Sequence, residues 1–324
     1  MAYSIPPGTK FATINLTHCS VADDFGDLTM LSNELSVHRR RLFDLGADFD
    51  RDIGARSAEH FRTANLVLMA SAASTLPTVR DEEWLRLDHR AFMLFYAILM
   101  HGIPNFWTAA VASGGTTDVR TAVLHFSPSL PFYRTPYAVP TRVDAETLRG
   151  ADAVVGGMVQ VFTSNDFGRL RRGVNALVAA WKQVSVADRL HGCVRALDAV
   201  MKLPPNKSRV EFANRLPLFA KGTRVADIAE AAYRLRSYNE HLSEWPQQLG
   251  HVALADRPAF VARHAFYAEV VTGFVYRTLL ANATLLSLFR TDEGIDAFWS
   301  TGRGAWPHQI DLRTEASRFQ YIEQ

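Results

Sequence analysis

Cysteine is nearly absent from this 324-residue chain: Cys19 and Cys193 are the full complement. Two thiols are too few for a disulfide framework or a four-thiolate zinc site, and such sparse use fits a reducing, cytoplasmic setting. Lysine is also scarce, five residues against thirty arginines. The net charge is only +2, which excludes a polycation that coats nucleic acid or membrane along its whole length. Long apolar runs are missing too. Residues 91–100 are too few to span a bilayer, and residues 264–289 carry Glu269 and Arg277, so no membrane partner is expected. Met1-Ala-Tyr-Ser-Ile-Pro-Pro-Gly has no basic stretch followed by an apolar one, so no secretory signal is expected. His-Glu-x-x-His, Cys-x-x-Cys, Gly-x-Ser-x-Gly, Gly-x-Gly-x-x-Gly and the phosphate-binding Gly-Lys-Ser/Thr ending are all lacking. Zincins, nucleophile-elbow hydrolases and dinucleotide enzymes thereby lose their usual anchors, and no cofactor or metal is expected.

With 48% hydrophobic and 21% charged residues, the chain can bury a core, and its length suggests two domains. Leucines 28, 31, 35, 42 and 45 recur at helical spacing, and helices are also expected over 57–74 and 78–100. Residues 119–126 are β-prone. Four prolines (128, 131, 136, 140) mark an irregular boundary. Beyond it helices are expected over 144–161, 167–184, 186–203, 209–220, 223–242 and 257–289, with Ser185-Val-Ala-Asp188 as a capping box. The expected fold is therefore mainly α: a mostly helical N-terminal domain with a few short strands over 1–140, and a helical bundle over 141–324. The first part holds 12 Lys/Arg against 14 Asp/Glu and the second 23 against 19, which permits a basic groove in the C-terminal part.

The candidate chemistry lies in Arg236-Ser-Tyr-Asn-Glu-His241. An imidazole can take a proton from a 2′-hydroxyl near neutral pH, and a guanidinium can hold the phosphate in two places as charge builds on it. The spacing alone decides nothing: four other Arg–His pairs have similar gaps.

The surroundings are more specific. Asp188-Arg-Leu, Ala196-Leu-Asp198, Asn214-Arg215-Leu and Tyr233-Arg-Leu-Arg-Ser-Tyr-Asn-Glu-His241 follow one another in order. This stretch resembles the ApeA-like HEPN family, and the likeness extends loosely over about 145–300, including the helix with Arg277. Two positions depart from the family pattern: Asp198 stands where Glu is common, and Leu242 where Gly often follows the histidine. The resemblance implies a HEPN-like bundle acting as a metal-independent RNA endonuclease. Arg236 and His241 would be catalytic, and the product end a 2′,3′-cyclic phosphate. It implies single-stranded RNA or tRNA as substrate, a homodimer with two motif helices facing across one groove, and a role in bacterial antiviral defence or as a toxin. Residues 1–140 would sense a ligand or partner, or hold the nuclease in check. The alternative is a non-catalytic HEPN module for dimerisation or RNA binding.

Supporting residues keep two readings each. Ser237 orients a phosphate or faces solvent; Asn239 contacts RNA or is surface; Tyr233 stacks on a base or belongs to the core. Asp198 holds Arg236 or His241, or pairs with Arg195. Arg234, Arg189, Arg215 and the cluster Gly168-Arg-Leu-Arg-Arg-Gly173 touch phosphate or are structural. Five residues along a straight helix turn through about 500°, so Arg236 and His241 share a face only if the helix ends or bends between them.

Overall fold

A computed structural model describes residues 5–32, 34–39, 46–102, 106, 108–130, 141–222, 224–240 and 249–320. These form two compact units that part at Val155/Gly156.

The first unit overturns the expectation of a mostly helical N-terminal domain. It is built on a six-stranded antiparallel sheet, β1 (Thr9–Thr17), β2 (Leu28–Met30), β3 (Leu35–Arg39), β4 (Ala64–Ala73), β5 (Thr108–Thr116) and β6 (Thr121–Ser127), in the order β2-β3-β4-β1-β5-β6. The helices α1 (Gly46–Ile53) and α2 (Ala55–Thr63) cover one face, where Phe49 and Phe61 meet Phe11, Val67, Met69, Ala110 and Ala112. The helix α3 (Glu82–His101) packs on β1 and β4. Both faces being covered explains the misreading. A strand buried on two sides does not alternate between polar and apolar, so the Ala64–Ala73 run reads as helix. In β1 the buried Lys10, Thr13 and Asn15 hide the strand from any hydrophobic pattern. The leucine spacing that suggested a helix over 28–45 is divided between β2, the turn after it, β3 and residues outside those described.

Lys10 is fully buried, with Nζ 2.7 Å from both oxygens of Asp81 and 3.3 Å from Glu83. Asp81 also caps α3, accepting the Trp84 N–H at 2.9 Å. One carboxylate thus neutralises a buried ammonium and satisfies an orphan donor of the first helical turn. The Lys10 hydrogen bond, then the Trp84 N–H, hold its carboxyl below the usual carboxylate range.

The helix α4 (Ala145–Thr163) carries the chain from the first unit into the second. The second unit holds α5 (Gly168–Trp181), α6 (Val186–Met201), α7 (Ser208–Arg215), α8 (Val225–Glu240), α9 (Arg257–Ala281), α10 (Ala283–Leu288), α11 (Asp292–Ala297) and α12 (Leu312–Ala316). Residues Ala220–Lys221 and Ile310–Asp311 add a short parallel pair. Ser185 caps α6 as expected, and Leu190, Val194, Leu197 and Met201 form its buried stripe against α5, α8 and α9. No helix among the described residues is long and apolar enough to cross a membrane.

Candidate functional site

The motif lies at the end of α8. Val225, Ala229, Ala232 and Leu235 form the buried stripe of that helix, which packs on α6, α7 and α9. The stripe fixes the rotation of the helix, and the residues beside it fall at the rim.

Arg236 and Tyr233 stand there, one turn apart and both half-buried. The Arg236 guanidinium carbon lies 5.3 Å from the centre of the Tyr233 ring, and Nη1 donates to the Tyr233 hydroxyl at 3.4 Å. The Tyr233 ring packs in turn on Phe212 of α7, with centroids 5.4 Å apart. The cation is held over an aromatic ring that is itself braced by a second ring. This suits a group that must meet a phosphate in a fixed orientation.

Ser237 and Tyr233 line an open cleft of about 320 Å³ between α8 and the start of α7. Asn239 lies in the last turn of α8; its side chain, and His241 altogether, are outside the described residues. So the structure brings Tyr233, Arg236 and Ser237 together, and the relation of Arg236 to His241 lies beyond what is described. Asp198 lies near the end of α6, where its Oδ1 accepts the Leu203 N–H at 3.3 Å, closing the turn after that helix.

The arginines with two readings sort themselves by partner. Arg189 is buried with Glu269 of α9, N–O 3.2 Å. Arg215 bonds to the Met201 carbonyl and Glu211 and lies over the Trp299 ring. Arg171 ties down the carbonyls of Val161, Ser164 and Asp166, and Arg169 pairs with Asp292. These are structural placements. Arg234 pairs with Glu230 at 2.8 Å yet borders the cleft. Arg277 lies over Phe274 of its own helix.

Both cysteines are free and buried. Burial pushes the Cys19 thiol up to about 12 and the Cys193 thiol well above its ordinary value, so neither is a ready nucleophile. Among the described residues no group of three or more His, Cys, Asp or Glu side chains is arranged to hold a metal ion. Sequence reasoning missed Lys207, Arg209 and Tyr238, which share the cleft with Ser237. Lys207 and Arg209 sit about thirty residues before the motif and carry no periodic mark; only the packing of α7 against α8 brings them to it.

No family model matches the chain, and no curated protein or solved structure matches it.

Proposed function

We propose that this chain is a metal-independent RNA endonuclease of HEPN type, working as a homodimer in the cytoplasm. The observation that carries the proposal is the Phe212–Tyr233–Arg236 stack, which holds a guanidinium five residues before His241 on a tyrosine that also lines an open cleft. Arg236 holds the scissile phosphate. His241 takes the proton of the adjoining 2′-hydroxyl, the 2′-oxygen attacks phosphorus, and the 5′-oxygen leaves with a proton returned by imidazole. The products are a 2′,3′-cyclic phosphate and a 5′-hydroxyl end. Ser237 and Asn239 assist at the phosphate. The sheet-based first unit senses a ligand or partner that releases the nuclease, in antiviral defence or as part of a toxin system; this role comes from family resemblance alone.

The test is cleavage of single-stranded RNA and tRNA in EDTA by wild-type protein and by His241→Ala. Cleavage by the wild type alone supports the enzyme. RNA binding by both, with no cleavage by either, favours the non-catalytic module.

A further inference from the structure

Two open clefts flank α8, and they differ in charge. The larger, about 320 Å³, lies against the start of α7. Lys207, Arg209 and Arg234 border it with Tyr233, Tyr238 and Ser237, and no carboxylate among the described residues lines it. The other, about 280 Å³, is bordered by Asp227 and Glu230 together with His251 and Phe260. Arg234 and Tyr238 line both, so they form the ridge between a basic side and an acidic one.

The cations on the basic side are unequally engaged. Glu230 pairs with Arg234 at 2.8 Å and more loosely with Arg209 at 3.8 Å. Lys207 is exposed and makes no ion pair among the described residues. One carboxylate thus answers two of the three cations, and among the described residues the cleft keeps an excess of positive charge. A pocket near the lower end of the roughly 300–1,000 Å³ range for small-ligand sites has room for a unit of modest size.

We infer that this cleft is the subsite for one nucleotide of a single-stranded RNA next to the scissile bond, its phosphate on Lys207 and Arg209 and its base on the Tyr238 ring. The inference rests on the nuclease proposal, because Ser237 and Tyr233 belong both to the cleft and to the motif. Anion recognition needs cations in excess of the carboxylates beside them; Lys207, Arg209 and Arg234 against Glu230 give this cleft that excess, and the acidic cleft lacks it. A tyrosine beside the cations supplies the stacking face that every base accepts, so the subsite reads single strands with little sequence preference. Lys207 and Arg209 act in binding; neither is placed at the reacting atoms.

The experiment measures binding of a short fluorescein-labelled single-stranded RNA to full-length protein in the His241→Ala background, across a salt series. Lys207→Glu with Arg209→Glu weakens binding at least about tenfold and lowers the slope of log affinity against log salt by about 1.4, near 0.7 for each phosphate contact to a single strand. Tyr238→Ala weakens binding by roughly five- to a hundredfold and leaves the slope unchanged. Unaltered thermal melts establish that these rim variants fold. Affinity and slope unchanged in the Lys207/Arg209 variant overturn the subsite. The nuclease proposal fails separately: wild-type protein that binds this RNA through Lys207 and Arg209 but leaves it uncut keeps the cleft and removes the enzyme. Wild-type protein that cuts RNA, with rate and affinity unmoved by the variants, keeps the enzyme and removes the cleft.

Discussion

Arg236 reaches back one helical turn to Tyr233, with its guanidinium carbon 5.3 Å from the ring centre and Nη1 3.4 Å from the hydroxyl. A long side chain in the last turns of a helix ordinarily samples several rotamers. Here ring and hydroxyl together select one, and Phe212 keeps the ring in place. The proposed phosphate clamp is therefore preorganised before substrate arrives.

That relationship sets the first prediction. Tyr233→Phe keeps the aromatic face and changes kcat for RNA cleavage by no more than a few-fold. Tyr233→Ala removes face and hydroxyl, and lowers kcat about tenfold with a smaller change in KM. Arg236→Lys keeps the charge but loses the fork, and costs about 10²-fold or more. Steady-state kinetics on one RNA check all three; equal kcat for Tyr233→Ala and wild type contradicts the positioning role.

The buried pair Arg189–Glu269 links α6 to α9. Removing one partner takes this ion pair from a charge that stays buried in the core, at a cost of about 3–5 kcal/mol. Glu269→Ala is therefore strongly destabilising, whereas Arg189→Met combined with Glu269→Leu regains most of the loss. Denaturant unfolding of the three proteins measures it, and a double variant no better than the single one contradicts the assignment.

Gly173 of α5 faces Tyr276 and Ala199 so closely that a methyl group would strike the Tyr276 hydroxyl. That hydroxyl donates to the Ala196 carbonyl at 2.8 Å. Gly173→Ala must displace the ring and break the bond, and is expected to cost about 1–3 kcal/mol. A melt of this variant matching wild type would show that the helices part more easily than their packing implies.

The first unit has its own pH dependence. Burial pushes the His38 imidazole down to about 4 from an ordinary 6.5, and Nε2 lies 3.0 Å from Ser36 Oγ. Between these values the unfolded chain binds the proton that the folded one refuses, so stability falls as pH drops from 6.5 towards 4. The slope is at most about 1.4 kcal/mol per pH unit. Asp81, held below its ordinary 3.8 by Lys10 and the Trp84 N–H, contributes stability above that value and loses it as pH falls further. His38→Gln flattens the first window and leaves the second; thermal melts across pH 4–7 that keep the same slope in both proteins contradict this.

The helices of the second unit were legible because each has one buried face: the stripe Leu190, Val194, Leu197, Met201 is a period read directly from the chain. The sheet was not, because β1, β3 and β4 are covered on both sides and carry polar groups such as Lys10, Asn15 and His38 inside. Within the candidate site, Tyr233, Arg236 and Ser237 were found because they lie within five residues on one helix. Lys207 and Arg209 were not, because they reach the cleft through the packing of α7 on α8. The Asp198 bond that closes the end of its own helix was likewise not legible, because it depends on the turn that follows α6.

The most direct measurement is the chemistry of the RNA ends left by full-length protein in EDTA. The account predicts 2′,3′-cyclic phosphate and 5′-hydroxyl ends from the wild type, and intact RNA from Arg236→Ala and from His241→Ala. Ends bearing 5′-phosphate, or the same cyclic ends at an undiminished rate from either variant, would contradict it.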